Sequence, residues 1–475
     1  MKTIFYKKGF SNFPKKFKII FTGGIEMVNE TLKKTEAEKF VIGIDPGDTE
    51  HKAVLVSPAR VALCKPFSIK VNADGFETFS KRLDRIKLEH KINQDDLILA
   101  IESSCNLWQT FAFHFTAKGY KIVKVSPYTT YLSRGLKNSN LSKSDNKDCL
   151  LVAESVLNGK FTECYDIGKI HERLIILNIA LNKLQDTCTQ AKLRVRGILH
   201  KIFPEFLNIL DLDTATAGFL LKKYLFPVDY LKIKDSEITD LGDVLKKLSQ
   251  SQHNSETIYK LKNAAQKSIG LRKEYTETAE RILFKSFFDV YENLSREVLT
   301  VGEILIQTAY ECREFHILVS VKGISEISAA QITAEVGGFL RYSHYKQIEK
   351  HAGLNLRINQ SSKTANARHI NKIGNKRLSK VLYQAARHVT NYVPEVRIKY
   401  VNRKQKHKAY KKNIIACISP LLRLLVSLVK NDKPYQLDEN AYKELCALET
   451  KYNIKNKSIE HYTPKEKSRF TKKHL

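Results

Sequence analysis

The chain has 475 residues and carries 80 lysines and arginines against 50 aspartates and glutamates, a formal net charge of +30. Such an excess of positive charge indicates a polyanionic partner, and nucleic acid before any other. No apolar run reaches the roughly 18 residues of a membrane-spanning helix, because the longest, residues 414–429, is broken by Ser419, Pro420 and Arg423. Eight scattered cysteines without a CxxC pair argue against a zinc ribbon or a disulfide scaffold and fit a reducing cytoplasm.

Residues 1–39 are predicted to be a basic, aromatic N-terminal extension. The codons of residues 23–26, Gly-Gly-Ile-Glu, are able to spell a purine-rich ribosome-binding site directly before Met27. We therefore hypothesise that Met27 is the natural start and that residues 1–26 are a translated leader.

Residues 40–160 alternate short β-branched runs with amphipathic segments, which predicts an α/β domain. The predicted helices cover residues 74–90 and 106–118, and the predicted strands cover residues 40–45, 52–57, 60–70, 96–101 and 120–125. The first three strands have short links typical of an antiparallel meander, whereas the later ones are joined through helices as in parallel crossovers. A mixed five-stranded sheet with helices on its faces follows.

Four acidic residues of this domain form a candidate metal site. Asp45 and Glu102 each end a buried apolar strand, where an unpaired charge is costly. Asp145 and Asp148 are three residues apart, so a helix would place both on one face. Converging carboxylates repel one another unless cations lie between them, and Mg²⁺ with oxygen ligands suits such a site. A pair of these ions would clamp the attacking and leaving oxygens of a phosphodiester.

Structural roles for the same residues stay open from spacing alone. Asp45 precedes Pro46-Gly47 and is also compatible with a turn. Asp145 and Asp148 are compatible with a helix cap and a solvated acid in the first helical turn.

Residues 168–312 are predicted to be helical, with two long apolar seams of coiled-coil type. The first seam steps by three and four through Leu174, Leu177, Leu181, Leu184, Cys188, Ala191, Val195, Ile198 and Ile202. The second runs through Phe287, Val290, Leu294, Val298, Val301 and Leu305. The two helices are able to pair within one chain or between chains, and the pattern does not decide between these.

Residues 313–430 are predicted to be a compact helical domain, followed by a basic tail over residues 431–475. A glycine-centred turn at residues 321–324 and a loop at residues 372–378 both open helices, where backbone amides suit phosphate. Ordinary helix junctions would give the same pattern. A run of basic residues with Tyr400 and Tyr410 between them, from Arg397 to Lys412, is either a solvated face or a nucleic-acid track.

The order of these motifs resembles the insertion-sequence-110 family of transposases, also called bridge recombinases. The N-terminal part is similar to their RuvC-like domain, whose sheet belongs to the RNase H-like class. The first acid of that family lies in a Gly-Ile-Asp strand, here residues 43–45, and His51 follows in the next strand. The second acid lies in Glu-x-Thr-Gly-x-Tyr-Trp, here residues 102–108, which keep Glu102 and Trp108 but not Thr-Gly.

The remaining family motifs also occur in order. Lys-Thr-Asp-x-x-Asp-Ala matches residues 143–149, with Cys149 in place of the alanine. Three landmarks of the second domain match residues 321–324, 352–354 and 372–378. The Gln-Ser-Gly motif matches residues 360–362, so Ser361 takes the position of the nucleophile and Ser362 replaces the glycine.

The resemblance implies recombination of double-stranded DNA, guided by a structured RNA from the element itself. It implies that Asp45, Glu102, Asp145 and Asp148 bind Mg²⁺, two ions in all, and that Ser361 attacks the scissile phosphate. It further implies a homo-oligomer, a dimer or tetramer, in which the acids and the serine act across subunits. The expected location is the bacterial cytoplasm, at the nucleoid.

Three alternative functions are compatible with the same residues. A site-specific DNA invertase would share both domains and differ in the DNA that flanks its gene. A Holliday-junction nuclease would use the acids alone, with Ser361 a structural residue and no covalent adduct. A basic architectural protein would work without metal.

Overall fold

The computed structural model describes residues 38–104, 106–137, 145–163, 168–270, 277–357, 369–406, 409–454 and 457–462. The N-terminal extension predicted over residues 1–39, with Met27, lies outside these ranges except for its last two residues. The chain divides into two units, residues 1–166 and residues 167–475.

The first unit is built on a six-stranded mixed sheet in the order β3-β2-β1-β4-β5-β6. Strand β1 pairs in parallel with β4, and β4 with β5, whereas β2, β3 and β6 are antiparallel to their neighbours. The strands are β1 (Phe40–Asp45), β2 (Glu50–Val56), β3 (Phe67–Lys70), β4 (Leu97–Glu102), β5 (Lys121–Val125) and β6 (Thr162–Glu163). The sheet therefore has one strand more than predicted, because a two-residue strand after the last helix pairs with the edge of β5.

Among the described residues, the α-helices of this unit are α1 (Ala73–Glu89), α2 (Leu107–Ala117), α3 (Pro127–Lys137) and α4 (Asp145–Leu157). Three of them, α1, α2 and α4, pack on the two faces of the sheet, and α3 packs on α4. One core joins Ile42, Ile44 and Leu55 to α1 and α2, while the other joins Val41, Val54 and Ala100 to α4. Successive residues of a strand point to opposite faces, so a strand covered on both faces is apolar throughout.

The second unit contains a long antiparallel helical hairpin. Its helices, α5 (Lys169–Ile202) and α11 (Glu277–Ala309), are 34 and 33 residues long and pack against each other. They therefore pair within the chain. Buried residues of α5 include Leu174, Leu181 and Val195 of the predicted seam.

The buried stripe of α11 differs from its predicted seam. Val290 is 49% exposed, whereas Phe284, Phe288 and Tyr291 are buried. These aromatic residues belong to a core that five inserted helices build between the two long ones. The inserted helices pack on the N-terminal half of α11 and thus decide which of its faces is buried there. The inserted helices are α6 (Phe206–Ile209), α7 (Ala215–Lys223), α8 (Pro227–Leu231), α9 (Asp235–Leu248) and α10 (Ser255–Gln266).

The C-terminal helices share a core with the residues around Leu174, Leu181 and Leu305 of the hairpin. They are α12 (Arg313–Ser320), α13 (Glu326–Val336), α14 (Tyr345–His351), α15 (Lys376–Val389), α16 (Pro394–Lys404), α17 (Tyr410–Lys430), α18 (Glu439–Lys451) and α19 (Ile459–Tyr462). A two-stranded ladder joins β7 (Leu356–Arg357) to β8 (His369–Ile370). The segment predicted as a basic tail includes two packed helices, because Leu445 and Tyr462 are buried against Val401.

Within the described residues, one helix, α17, is long and apolar enough to span a membrane. It contains Pro420, and its residues Ile414, Leu421 and Leu425 are fully buried in the C-terminal core. This packing accounts for its apolar composition.

Candidate active site and nucleic-acid contacts

Asp45 and Glu102 end two neighbouring parallel strands, β1 and β4. The register pairs Ile44 with Ile101, and one further step brings Asp45 beside Glu102. Parallel neighbours lie about 4.8 Å apart, and paired residues point to the same face. Ala100, two residues before Glu102, belongs to the core under α4. Both acids therefore point to the face of the sheet that α4 covers.

Helix α4 reaches this edge because Gly43 has no side chain. A Cβ at Gly43 would lie 2.1 Å from the carbonyl oxygen of Cys149 and 2.6 Å from the backbone nitrogen of Ala153. The helix backbone thus rests directly on β1, two residues before Asp45. Asp148, one residue before Cys149, is 1% exposed. Asp145 is the first residue of the helix, and its side chain lies outside the described part of the structure.

The carboxylate of Asp148 is bound by Arg134 of α3, a residue that the sequence patterns did not single out. Nε of Arg134 donates to Oδ1 at 2.8 Å, and Nη2 donates to Oδ2 at 2.6 Å. This bidentate geometry gives strong, directional pairs between arginine and carboxylates. A helix with one arginine before an acidic motif is only a weak signal in sequence, because the pairing depends on how α3 and α4 cross.

The three predicted acids whose side chains the structure describes, Asp45, Glu102 and Asp148, all act electrostatically on Arg134. The hydrogen bond to Asp148 raises the pKa of Arg134 most, and the charges of Asp148, Glu102 and Asp45 raise it further. Burial, followed by the charge of Asp45, raises the pKa of Cys149 to about 12. Asp45, Glu102 and Asp148 therefore all act electrostatically on one guanidinium group.

The donor atoms of this cluster suit a hard divalent cation. Glu102 is 8% exposed, and its Oε1 accepts a hydrogen bond from Ser104 at 3.2 Å. Its Oε2 is buried and has no hydrogen-bond partner among the described residues. Carboxylate oxygens are the ligands that Mg²⁺ prefers. In the described part of the chain, however, no three acidic, histidine or cysteine side chains stand ready to hold an ion.

His51 lies on the other face of the sheet from the acids. It is fully buried on β2 and contacts the rings of Phe76 and Phe111, with centroids 6.2 and 5.7 Å away. Burial lowers the pKa of the His51 imidazole. The residue is part of the aromatic core and does not join the acidic cluster.

Ser361 and Ser362 lie outside the described residues, between β7 and β8. The landmarks on either side pack backbone to backbone. A Cβ at Gly374 would lie 2.4 Å from the backbone nitrogen of Gly353. Two of the predicted family motifs, at residues 352–354 and 372–378, therefore pack against each other.

A buried glutamate organises the second of these motifs. Glu335 of α13 is 5% exposed. Its Oε1 accepts hydrogen bonds from Arg377 Nε at 2.6 Å and from Asn178 Nδ2 at 2.7 Å, and Asn375 binds its other oxygen. Asn375 also caps α15 by accepting from the backbone of Arg377 and Leu378. The hydrogen bond to Glu335 thus gives Arg377 a structural role.

A cleft of about 470 Å³ lies beside the glycine-centred turn. Gly323 has φ +102°, and a Cβ there would lie 2.9 Å from Cα of Val389, so the turn packs on the end of α15. Ser325 caps α13 by accepting from the backbone N–H of Ser328 at 3.3 Å. The cleft is lined by Lys322, Ser325, Ser328, Arg387, His388 and Tyr392, among others. Cationic side chains and a helix N-terminus together suit a phosphate group.

Not every basic residue between Arg397 and Lys412 is available to a nucleic acid. Arg397 is buried, and its Nε donates to Oε1 of Glu449, so it serves the fold. Lys399, Lys404, Lys411 and Lys412 are exposed. The rings of Tyr400 and Tyr410 lie edge to face at 6.4 Å.

Two family models match the chain. One, for the DEDD domain of IS110 transposases, matches residues 42–204. The other, described as the IS116/IS110/IS902 family of transposases, matches residues 315–401. Together they cover more than half of the chain, and the first contains all four acids. No curated protein matches the sequence.

Proposed function

Because the chain belongs to the IS110 family of transposases, we propose that it cuts and rejoins double-stranded DNA with the acidic cluster of the first unit and Ser361 of the second. The observation that carries this proposal is the convergence of Asp45, Glu102 and Asp148 at one sheet edge. That edge lies in the domain that the DEDD model matches.

The match to a DEDD domain implies dependence on a divalent metal. In our proposal Asp45, Glu102, Asp145 and Asp148 hold Mg²⁺, as two ions. A bound ion would neutralise charge on the oxygens of the phosphodiester. Asp45 and Glu102 are the last residues of their strands, and α4 begins at Asp145 and contains Asp148.

Ser361 is the proposed nucleophile. Its hydroxyl oxygen attacks the phosphorus, the bond from phosphorus to the bridging DNA oxygen breaks, and the leaving oxygen takes up a proton. The phosphoserine ester keeps the energy of the original bond, so attack by a DNA hydroxyl rejoins the strand and restores the serine without ATP. A serine hydroxyl needs activation to act in this way.

The proposed partners are duplex DNA, a structured guide RNA of the element and further copies of this chain. The net charge of +30 supports a polyanionic partner. The cleft at Lys322 and Arg387 and the lysines of the basic track are proposed contacts to the phosphate backbone. In our proposal, the acids of one copy and Ser361 of another act together in a dimer or tetramer. The proposed location is the bacterial nucleoid.

Trapping of a covalent adduct tests the proposal. Full-length protein is incubated with end-labelled duplex DNA carrying the ends of its element, with guide RNA and Mg²⁺, and separated on a denaturing gel. We expect a slow protein–DNA band that disappears with EDTA and carries phosphoserine. Cleavage without such a band would favour a nuclease that uses the acids alone, a reading supported by the location of the acids within one unit. Inverted sites around a neighbouring gene would identify an invertase.

A further inference from the structure

We propose that Arg134 competes with the divalent cation for Asp148, and that a DNA phosphate relieves this competition by drawing the guanidinium away. Arg134 would thereby make cation binding depend on the presence of DNA. This inference rests on the proposed function of the acidic cluster.

The ion pair occupies the atoms that a cation would need. Arg134 supplies both hydrogen bonds that the described residues give to Asp148, one to each oxygen. Asp148 is 1% exposed, and Arg134 is 19% exposed. A carboxylate that is buried and held on both oxygens has to lose its partner before it binds an ion. The charges of Glu102 and Asp45 also favour the positive charge of Arg134.

A comparison with a second arginine–aspartate pair distinguishes this contact from an ordinary structural one. Asp229 is held by Nη2 of Arg281, at 2.9 and 2.7 Å. It also accepts the backbone N–H groups of Leu225 and Phe226 at 3.0 and 2.9 Å. Asp229 therefore keeps two partners when its arginine is removed. For Asp148, the described residues provide no backbone donor, and its partner is on another helix.

The guanidinium group fits a phosphate as well as it fits a carboxylate, since both offer two oxygens to its parallel N–H groups. Arg134 is partly exposed, so a phosphodiester at the sheet edge is able to reach it. When Arg134 turns to the phosphate, Asp148 becomes available to the cation. Two ligands that favour the same arrangement must strengthen each other equally.

Binding of Mn²⁺ to the full-length protein tests the proposal without any measure of activity. Titration calorimetry compares wild type, Arg134→Gln and the matched control Arg281→Gln, each with and without duplex DNA. We expect Arg134→Gln to bind Mn²⁺ roughly tenfold more tightly than wild type in the absence of DNA, a factor typical of coupled sites. DNA should tighten Mn²⁺ binding to wild type and to Arg281→Gln, and should have little effect on Arg134→Gln.

The melting temperature, measured by circular dichroism, gives a second readout that shows whether each variant folds. Arg134→Gln leaves Asp148 buried and unpaired, so its melting temperature should fall in EDTA and recover with Mn²⁺ more than that of wild type. Should this variant fail to fold even with Mn²⁺, Arg134→Lys keeps the charge without the paired donors and should bind Mn²⁺ more tightly than wild type.

Three outcomes would overturn the proposal. Equal Mn²⁺ affinity in wild type and the Arg134 variants would mean that the pair does not compete with the ion. Weaker binding in the variants would mean that Arg134 only orients Asp148. Absence of Mn²⁺ binding in every protein would remove the metal site itself, and with it this inference. Failure of wild type to form a DNA adduct despite the expected Mn²⁺ ranking would instead count against the proposed recombination alone.

Discussion

The carbonyl oxygen of Cys149 lies 2.1 Å from the point that a side-chain carbon on Gly43 would occupy. This close approach holds the helix of Asp148 against the strand of Asp45, and so sets the distance between two of the proposed metal ligands.

Gly43→Ala should therefore push α4 away from the sheet. We expect a loss of about 1–3 kcal/mol in the free energy of unfolding, as is typical of overpacked cores, together with loss of Mg²⁺-dependent cleavage. Urea unfolding measures the first effect. The control is Gly197→Ala on α5, where a Cβ meets nothing within 4 Å. Equal stability of the two variants would contradict the role of Gly43.

Removal of a single carboxylate should abolish cleavage while the protein still folds and binds DNA. Asp45→Asn, Glu102→Gln, Asp145→Asn and Asp148→Asn each keep the shape of the side chain and remove its charge. Cleavage of labelled DNA and binding in a gel-shift experiment are the two measurements. Asp243→Asn, at an exposed ion pair with Lys246, is the control. A variant that cleaves normally would remove its residue from the proposed site.

Ser361→Ala should prevent both cleavage and formation of the covalent adduct, because the attacking oxygen is gone. Ser362→Ala and Ser362→Gly, one residue away, should be active. The denaturing gel described above measures both. An adduct that persists in Ser361→Ala and vanishes in Ser362→Ala would move the nucleophile by one residue.

DNA affinity should fall steeply with salt, because lysine and arginine contacts release counterions from the phosphates. Lys322→Ala and Arg387→Ala should each weaken binding to all sequences and lower the slope of log affinity against log salt by about 1. Lys246→Ala on α9 is the control. An unchanged slope would show that the cleft does not contact DNA.

The basic track calls for the same measurement on Lys411→Ala and Lys412→Ala. Truncation before these residues would also delete α17, whose Leu421 and Leu425 belong to the core. Weaker DNA binding by a truncated chain would thus report unfolding rather than a lost contact.

Stability should decrease in mild acid because of His51. Burial lowers its pKa below the ordinary value of 6.5, so the unfolded chain binds this proton more readily than the folded one. The contribution of the neutral ring is fully present above about pH 6.5 and is lost as the pH falls further. Urea unfolding at pH 7.5 and 5.5 should show less pH dependence for His51→Phe than for wild type. The same change at the exposed His200 should leave it unaltered.

Several features followed from the sequence alone. The strands around Asp45 and Glu102 were predicted within two residues of their observed ends, since a run buried on both faces is apolar throughout and stops where the chain turns polar. The sequence also predicted that Leu174, Leu181 and Val195 of α5 are buried, because apolar residues spaced by three and four are a local property of the chain.

Only the tertiary structure decided which partners these residues meet. The sequence did not predict that Arg134 binds Asp148 or that Arg397 is buried against Glu449. It also did not predict that Tyr291 of α11, rather than Val290, is buried. Each depends on where a separate helix packs. Local periodicity shows which face of a helix is apolar, but the contacts of a charged or aromatic side chain depend on how elements distant in sequence cross.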